Sequence, residues 1–97
     1  MENFNIKVYS SFNKRVYVCR YSFSDKSWKC LIFLDKQLLK ECVDDQLIPC
    51  IKKVGAYLAE LGNIYKVEGA SKSVYATILE SAIRIARCKI AIQGFRN

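Results

Sequence analysis

The residues best placed to do chemistry form a short turn in the C-terminal half of the chain. Gly69-Ala70-Ser71-Lys72-Ser73 follows a β-type run at 64–67 and precedes a helical pattern that begins at Val74. A turn from a strand into a helix N-terminus directs free backbone N–H groups and the positive end of the helix dipole at one point. An ordinary capped helix gives the same pattern. The candidate ligands for a nucleic-acid phosphate at this turn are Gly69, Ser71, Lys72 and Ser73.

This turn does not match the phosphate-binding P-loop. That motif requires Gly-x-x-x-x-Gly-Lys-Ser/Thr. Here two residues separate Gly69 from Lys72, and the preceding glycine is Gly62. The NTPase interpretation is therefore excluded.

Residues that support catalysis are sparse. The chain has no histidine, so the commonest general base and metal ligand is missing. The five cysteines include no Cys-x-x-Cys pair, and each lies in an apolar pattern typical of a small buried side chain. They are Cys19, Cys30, Cys42, Cys50 and Cys88. We expect a non-enzymatic protein of a reducing compartment, without cofactor or metal.

The net charge is +7, and it is unevenly distributed. Residues 1–35 hold six basic and three acidic side chains, 36–62 hold four and four, and 63–97 hold six and two. Such an excess favours nucleic acid or an acidic protein as partner, although it also serves solubility alone. Because no segment has the length of a membrane span or signal peptide, we expect no membrane partner. A cytoplasmic location, or the host-cell interior for a viral protein, follows.

Three strands are predicted in the N-terminal third. Residues 4–8 alternate between apolar and polar, and in 16–23 the side chains of Tyr17, Cys19, Tyr21 and Phe23 share a face. Residues 28–34 are apolar at nearly every position, which predicts a central strand covered on both faces.

Two helices and two further strands are predicted after position 35. Because Pro49 interrupts the helical pattern, we expect a short helical turn at 36–43 and a main helix from near Asp45, ending at Gly62. A strand at 64–67 and the helix from Val74 follow, and the alternation at 88–93 predicts a last strand. The prediction is one α+β domain, 1–97, of order β-β-β-α-β-α-β. It has an N-terminal hairpin at 1–27, a core at 28–97, and two main helices on a mixed sheet with some parallel pairing.

Two basic groups are candidates for nucleic-acid contact. Arg84 and Arg87 lie one helical turn apart, with Glu80 placed to pair with Arg84, and Lys89 continues the charge. The second group interleaves basic and aromatic side chains on the N-terminal strands, as proteins that stack single-stranded bases do. Its members are Lys14, Arg15, Arg20, Lys29, Tyr9, Tyr17, Tyr21 and Trp28. The alternative for these rings is a place in the core or in cross-strand pairs.

Residues 28–94 resemble the β-α-β-α-β core of Alba-type nucleic-acid-binding proteins and of the C-terminal domain of bacterial translation initiation factor three. The similarity rests on Ile51-Lys52-Lys53-Val54-Gly55-Ala56-Tyr57-Leu58 and on Val67-Glu68-Gly69-Ala70-Ser71-Lys72-Ser73-Val74. In Alba-like proteins, a glycine and basic residues at the turn into the second helix contact nucleic acid. The resemblance implies this role for Gly69 and Lys72. The chain differs by its added N-terminal hairpin and by ending before the usual last β-hairpin.

The leading hypothesis is a small nucleic-acid-binding protein that contacts RNA or DNA backbone. Its expected phosphate contacts are Lys72, Arg84, Arg87 and Lys89, and Arg15, Arg20 and Tyr21 form a second surface. The alternative is a viral or phage interaction protein that inhibits a host protein by direct binding. A homodimer through an exposed strand edge is compatible with both hypotheses.

Overall fold

Four consecutive strands form an antiparallel meander. The structure, a computed structural model, describes residues 3–11, 14–69 and 73–96. The strands are β1 (Asn3–Ser10), β2 (Val16–Ser24), β3 (Ser27–Leu34) and β4 (Gln37–Asp44). Two-residue turns join β2 to β3 and β3 to β4. Asp25, Lys26, Asp35 and Lys36 all have φ between 51° and 68°, the backbone that tight hairpin turns need.

Two helices and an edge strand complete the α+β unit. They are α1 (Leu47–Leu61), β5 (Ile64–Glu68) and α2 (Ser73–Arg96). Strand β5 returns to the far side of the sheet and pairs with β1, which gives the strand order β4-β3-β2-β1-β5. The predicted α+β class and the two main helices are confirmed. All strand pairs in the described part are antiparallel, so the predicted parallel pairing is wrong.

The helical turn predicted at 36–43 is wrong, because Lys36 lies in a hairpin turn and the residues after it belong to β4. Its register against β3 shifts between Ile32 and Phe33, so that Leu38 pairs with Phe33 and Lys40 with Ile32. The extra residue, Leu39, breaks the alternation of apolar side chains. A strand with such a bulge therefore imitates the apolar spacing of a helix.

The strand predicted at 88–93 is also wrong, because α2 continues through it. No proline or glycine lies between Arg87 and Gln93, and the helix runs without interruption to Arg96. The observed order is therefore β-β-β-β-α-β-α. Residues 28–94 consequently contain β-β-α-β-α rather than the β-α-β-α-β order on which the Alba resemblance was based.

Helix α1 starts and ends much as its sequence predicts. The backbone N–H of Gln46, the N-cap residue, donates to Asp44 Oδ1 at 3.0 Å. Pro49 is the third helical residue, where no backbone N–H partner is lost. Gly62 ends the helix with φ of 76°, and its N–H donates to the carbonyl of Leu58 at 3.2 Å. A positive φ of this size favours glycine.

Both helices pack on one face of the sheet. Ile6, Cys19 and Ile32 are completely buried beneath them, together with Leu58 of α1 and Leu79 of α2. Strand β3 is interior, but Leu31 and Phe33 on its other face are only half-buried. The expectation of cover on both faces is therefore wrong, because the helices leave one face of the sheet open.

Candidate nucleic-acid interface

The face of the sheet that no helix covers carries cations and rings. Directly paired residues of antiparallel strands point to the same face, so the register assigns each side chain. One row crosses the sheet as Lys7, Val18 and Phe33. We call this surface the open face, and its functional side chains are Lys7, Tyr9, Arg20, Lys29, Phe33 and Lys66.

Two of the rings on the open face each hold a cation. The guanidinium carbon of Arg20 lies 5.2 Å from the centroid of the Phe33 ring, and Lys66 Nζ lies 5.4 Å from that of Tyr9. The Tyr65 ring is 6.3 Å from that of Tyr9, and Tyr65 is 66% exposed. A cation beside a ring offers a phosphate and a base adjacent binding partners.

The charge of the open face is positive. Among the described residues, Lys7, Arg20 and Lys29 form no ion pair, whereas Lys66 Nζ is 3.2 Å from Glu68 Oε2. Glu41 lies opposite Leu31 on the same face. Three cations are therefore free to contact an anionic ligand.

The basic and aromatic residues that alternate along the N-terminal strands lie on two different faces of the sheet. Arg20 and Lys29 lie on the open face with Tyr9, but Tyr17 and Tyr21 point the other way, into the core. Tyr21 is fully buried, because its side chain alternates with that of Arg20 along β2. Its predicted contact with nucleic acid is therefore wrong. Arg15 is exposed in the connection between β1 and β2.

Arg84 and Arg87 line a cleft between α2 and the edge strand β5. The cleft has a volume of about 480 Å³, and Tyr65 and Lys66 form its opposite wall. The predicted pair of Arg84 with Glu80 is confirmed at 3.1 Å. The cleft adjoins the open face across β5, since Lys66 belongs to both.

Lys89 does not join these arginines. It lies on the other flank of α2, in the groove that this helix forms with Lys52 and Ala56 of α1. The spacing from Arg87 to Lys89 corresponds to about 200° around a helix. The single basic helix face predicted from the sequence is therefore split into two.

The structure describes the two ends of the candidate turn at 69–73. Gly69 follows β5, and α2 begins at Ser73. Ser71 and Lys72 lie outside the described residues. The predicted phosphate contact at this turn stays a prediction.

Four of the five thiols are buried in the core, around Tyr21. Burial raises the pKa of Cys50 to about 12, and it also raises the pKa values of Cys30 and Cys42. The pKa of Tyr21 is raised well above its ordinary value, mainly by burial. Thiols that resist ionisation are poor nucleophiles. Cys88 is exposed, so its expected burial is wrong.

No metal-binding cluster or membrane span was found within the described ranges. No group of three or more cysteine, aspartate or glutamate side chains there could hold a metal ion. No helix among these residues is long and apolar enough to span a bilayer.

Four residues of the candidate site were not predicted from the sequence. They are Lys7, Phe33, Tyr65 and Lys66. The signal was present for Lys7 and Phe33, since each alternates with buried apolar neighbours in its strand. Strand β5 has no such alternation, and its place beside β1 depends on tertiary pairing.

Comparisons of the chain with protein-family models, curated proteins and solved structures found no match.

Proposed function

We propose that this protein is a non-enzymatic binder of single-stranded nucleic acid, which it holds on the open face. The observation that carries this proposal is the pairing of Arg20 with Phe33 and of Lys66 with Tyr9 on one uncovered sheet surface. Unpaired bases stack on aromatic rings, and cations beside the rings contact the phosphates. Because both interactions are available to every base, binding is tolerant of sequence.

The cleft beside β5 extends this surface. A single-stranded nucleic acid that leaves the open face past Tyr65 would enter this cleft. Its next phosphates would then lie beside Arg84 and Arg87. Because β5 is the edge strand of the described sheet, no other strand of that sheet lies between the rings and these arginines. The proposed phosphate contacts are Lys7, Arg20, Lys29, Arg84 and Arg87. Arg84 pairs with Glu80 through one guanidinium nitrogen and keeps its other N–H groups as donors.

Fluorescence anisotropy with a labelled single-stranded oligonucleotide tests this function. Five phosphate contacts predict a slope of about −3.5 when the logarithm of the association constant is plotted against that of the salt concentration. Arg20→Glu should weaken binding about tenfold and make the slope of this plot less steep by about 0.7. The matched control is Lys52→Glu, an exposed charge on α1, which should bind like the wild type. Equal loss in both variants, or binding independent of salt, would overturn the proposal.

A second function is favoured by apolar side chains on the other edge strand. Leu38 and Val43 of β4 are 50% and 42% exposed, and they flank the half-buried Leu31 and Phe33. Exposed apolar side chains on an edge strand suit a protein partner, as the inhibitor hypothesis requires. A pull-down after nuclease treatment should then recover one stoichiometric protein, and Leu38→Lys should abolish its capture. Recovery of nucleic acid alone would contradict this second function.

A further inference from the structure

Helix α2 carries an apolar stripe on the side away from the core. Val74, Ile85 and Ile92 are 68%, 58% and 56% exposed. Ile78, between the first two, is half-buried and forms the border of the stripe with the core. The residues of α2 that are buried in the core lie on the opposite side of the helix. They are Ala76, Leu79 and Ile83.

The stripe has the spacing of a coiled-coil seam. Ile78, Ile85 and Ile92 recur every seven residues, as do Val74, Ser81 and Cys88. The two series are offset by three and four residues, which places them at the a and d positions of a heptad repeat. Such a seam packs against a second helix with the same repeat, and a second copy of this chain supplies one.

The C-terminal end of α2 also lacks cover. All side chains at 88–93 are exposed, including Ile90, which points away from the stripe. A helix end without tertiary contacts is only marginally stable in water. Pairing with another helix would stabilise it.

We propose that α2 forms an antiparallel homodimer with α2 of a second copy. In the antiparallel register that centres the stripe, Ile85 faces the partner's Ser81, and Ile78 faces the partner's Cys88. Each large side chain then meets a small one, and both layers fill. A parallel pair would instead stack serine on serine and cysteine on cysteine, leaving gaps between bulky isoleucine layers.

Charges beside the stripe favour the same direction. A parallel pair brings Arg84 against the partner's Lys89, which is repulsive. The antiparallel pair separates these two cations, and Lys89 then lies near the partner's first helical turn, where the Tyr75 ring is stacked on Phe4 of its own chain at a centroid distance of 5.1 Å. Arg84 then faces the partner's Arg84, but each is already paired with its own Glu80 at 3.1 Å.

The stripe is short, so we expect the dimer to be weak. From Val74 to Ile92 it extends about 27 Å along the helix. A stable interface buries about 800 Å² per partner, and a contact of one helix pair lies at or below this size. We expect a dimer with a dissociation constant in the micromolar range.

Sedimentation velocity on nuclease-treated protein at high salt tests the proposal without contribution from bound nucleic acid. At about 100 µM, well above a micromolar constant, the wild type should have twice the 11.2 kDa mass of the chain. Ile85→Glu should be monomeric. The matched control is Ile90→Glu, since Ile90 is 44% exposed on the same helix but outside the stripe, and this variant should stay dimeric. A monomeric wild type, or a dimeric Ile85→Glu variant, would overturn the proposal.

Oxidation of Cys88 tests the direction of the pair. In the antiparallel register, the two Cys88 residues are about 15 Å apart along the helix axis, too far for a disulfide. Disulfide-linked dimers should therefore form no faster in the wild type than in Ile85→Glu. Faster cross-linking in the wild type would contradict the antiparallel arrangement.

Discussion

The guanidinium carbon of Arg20 lies 5.2 Å from the centroid of the Phe33 ring, across the boundary between β2 and β3. The same geometry recurs at the other side of the sheet, where Lys66 lies 5.4 Å from the ring of Tyr9. Each cation keeps donors for a phosphate while its ring offers a surface for a base. These two pairs are the basis of the proposed function.

Tyr65 is expected to act as a stacking platform. Its ring is largely exposed beside Tyr9, so its removal should not disturb the core. Tyr65→Ala should weaken oligonucleotide binding by about 1–3 kcal/mol, the contribution of one stacked base. Tyr65→Phe keeps the ring and should bind like the wild type in the same anisotropy assay. Equal affinities of the alanine and phenylalanine variants would exclude stacking at this position.

The close contact of α1 with α2 at Gly55 predicts a loss of stability in Gly55→Ala. A Cβ at position 55 would lie 2.6 Å from Ala82 Cβ and 3.2 Å from the backbone nitrogen of Ile83, so the helices must separate. We expect the free energy of unfolding, measured in urea, to fall by about 1–3 kcal/mol. Ala82→Gly should restore part of this loss in the double variant, because it removes the nearest clashing atom. Failure of this rescue would place the cause elsewhere.

Thiol reactivity should separate Cys88 from the other cysteines. Cys88 is exposed, whereas the other four are buried. At low micromolar protein and about pH 8, a thiol reagent should modify one cysteine rapidly and the remainder only after denaturation. Cys88→Ser should remove the rapid phase. A second rapid phase would show that the core opens around Cys30 and Cys50.

Asp44 should make stability depend on acid pH. The hydrogen bond from the backbone of Gln46 lowers the pKa of Asp44, and Lys53 Nζ, 3.2 Å from its carboxylate, acts in the same direction. A carboxyl whose pKa is lowered on folding stabilises the fold above its unfolded pKa of about 3.9, and this contribution disappears at lower pH.

Asp44→Asn should therefore unfold at lower urea than the wild type at neutral pH, and the difference should shrink as the pH falls below about 4. Glu60→Gln, which removes an exposed carboxylate of α1, serves as the control. A difference of constant size across this pH range would show that the charge of Asp44 is not responsible.

Much of the sheet could be predicted from the sequence, because period-two alternation reports burial directly. The shared face of Tyr17, Cys19 and Tyr21 is confirmed, and the same alternation places Arg20 on the other side. The hairpin between β3 and β4 was missed although Asp35-Lys36 repeats the Asp25-Lys26 turn ten residues later. A recurring turn dipeptide was a usable signal.

The rest depended on tertiary structure. The residues at 88–93 alternate in polarity, yet they stay helical because nothing in the sequence stops the helix after Arg87. The site could not be assembled from the sequence either, since Lys66 reaches Tyr9 only through the pairing of β5 with β1. Local patterns do not determine which distant strands become neighbours.

The most direct test of the proposed site is an NMR titration that follows side-chain resonances of both layers during addition of a single-stranded oligonucleotide. We expect shifts in the ring protons of Phe33 and Tyr9 and in the Arg20 Nε–H resonance, with the methyl groups of Ile85 unchanged. Shifts at Ile85 with silent Phe33 and Arg20 resonances would place the ligand on the exposed stripe of α2, away from the open face, and contradict the proposed function.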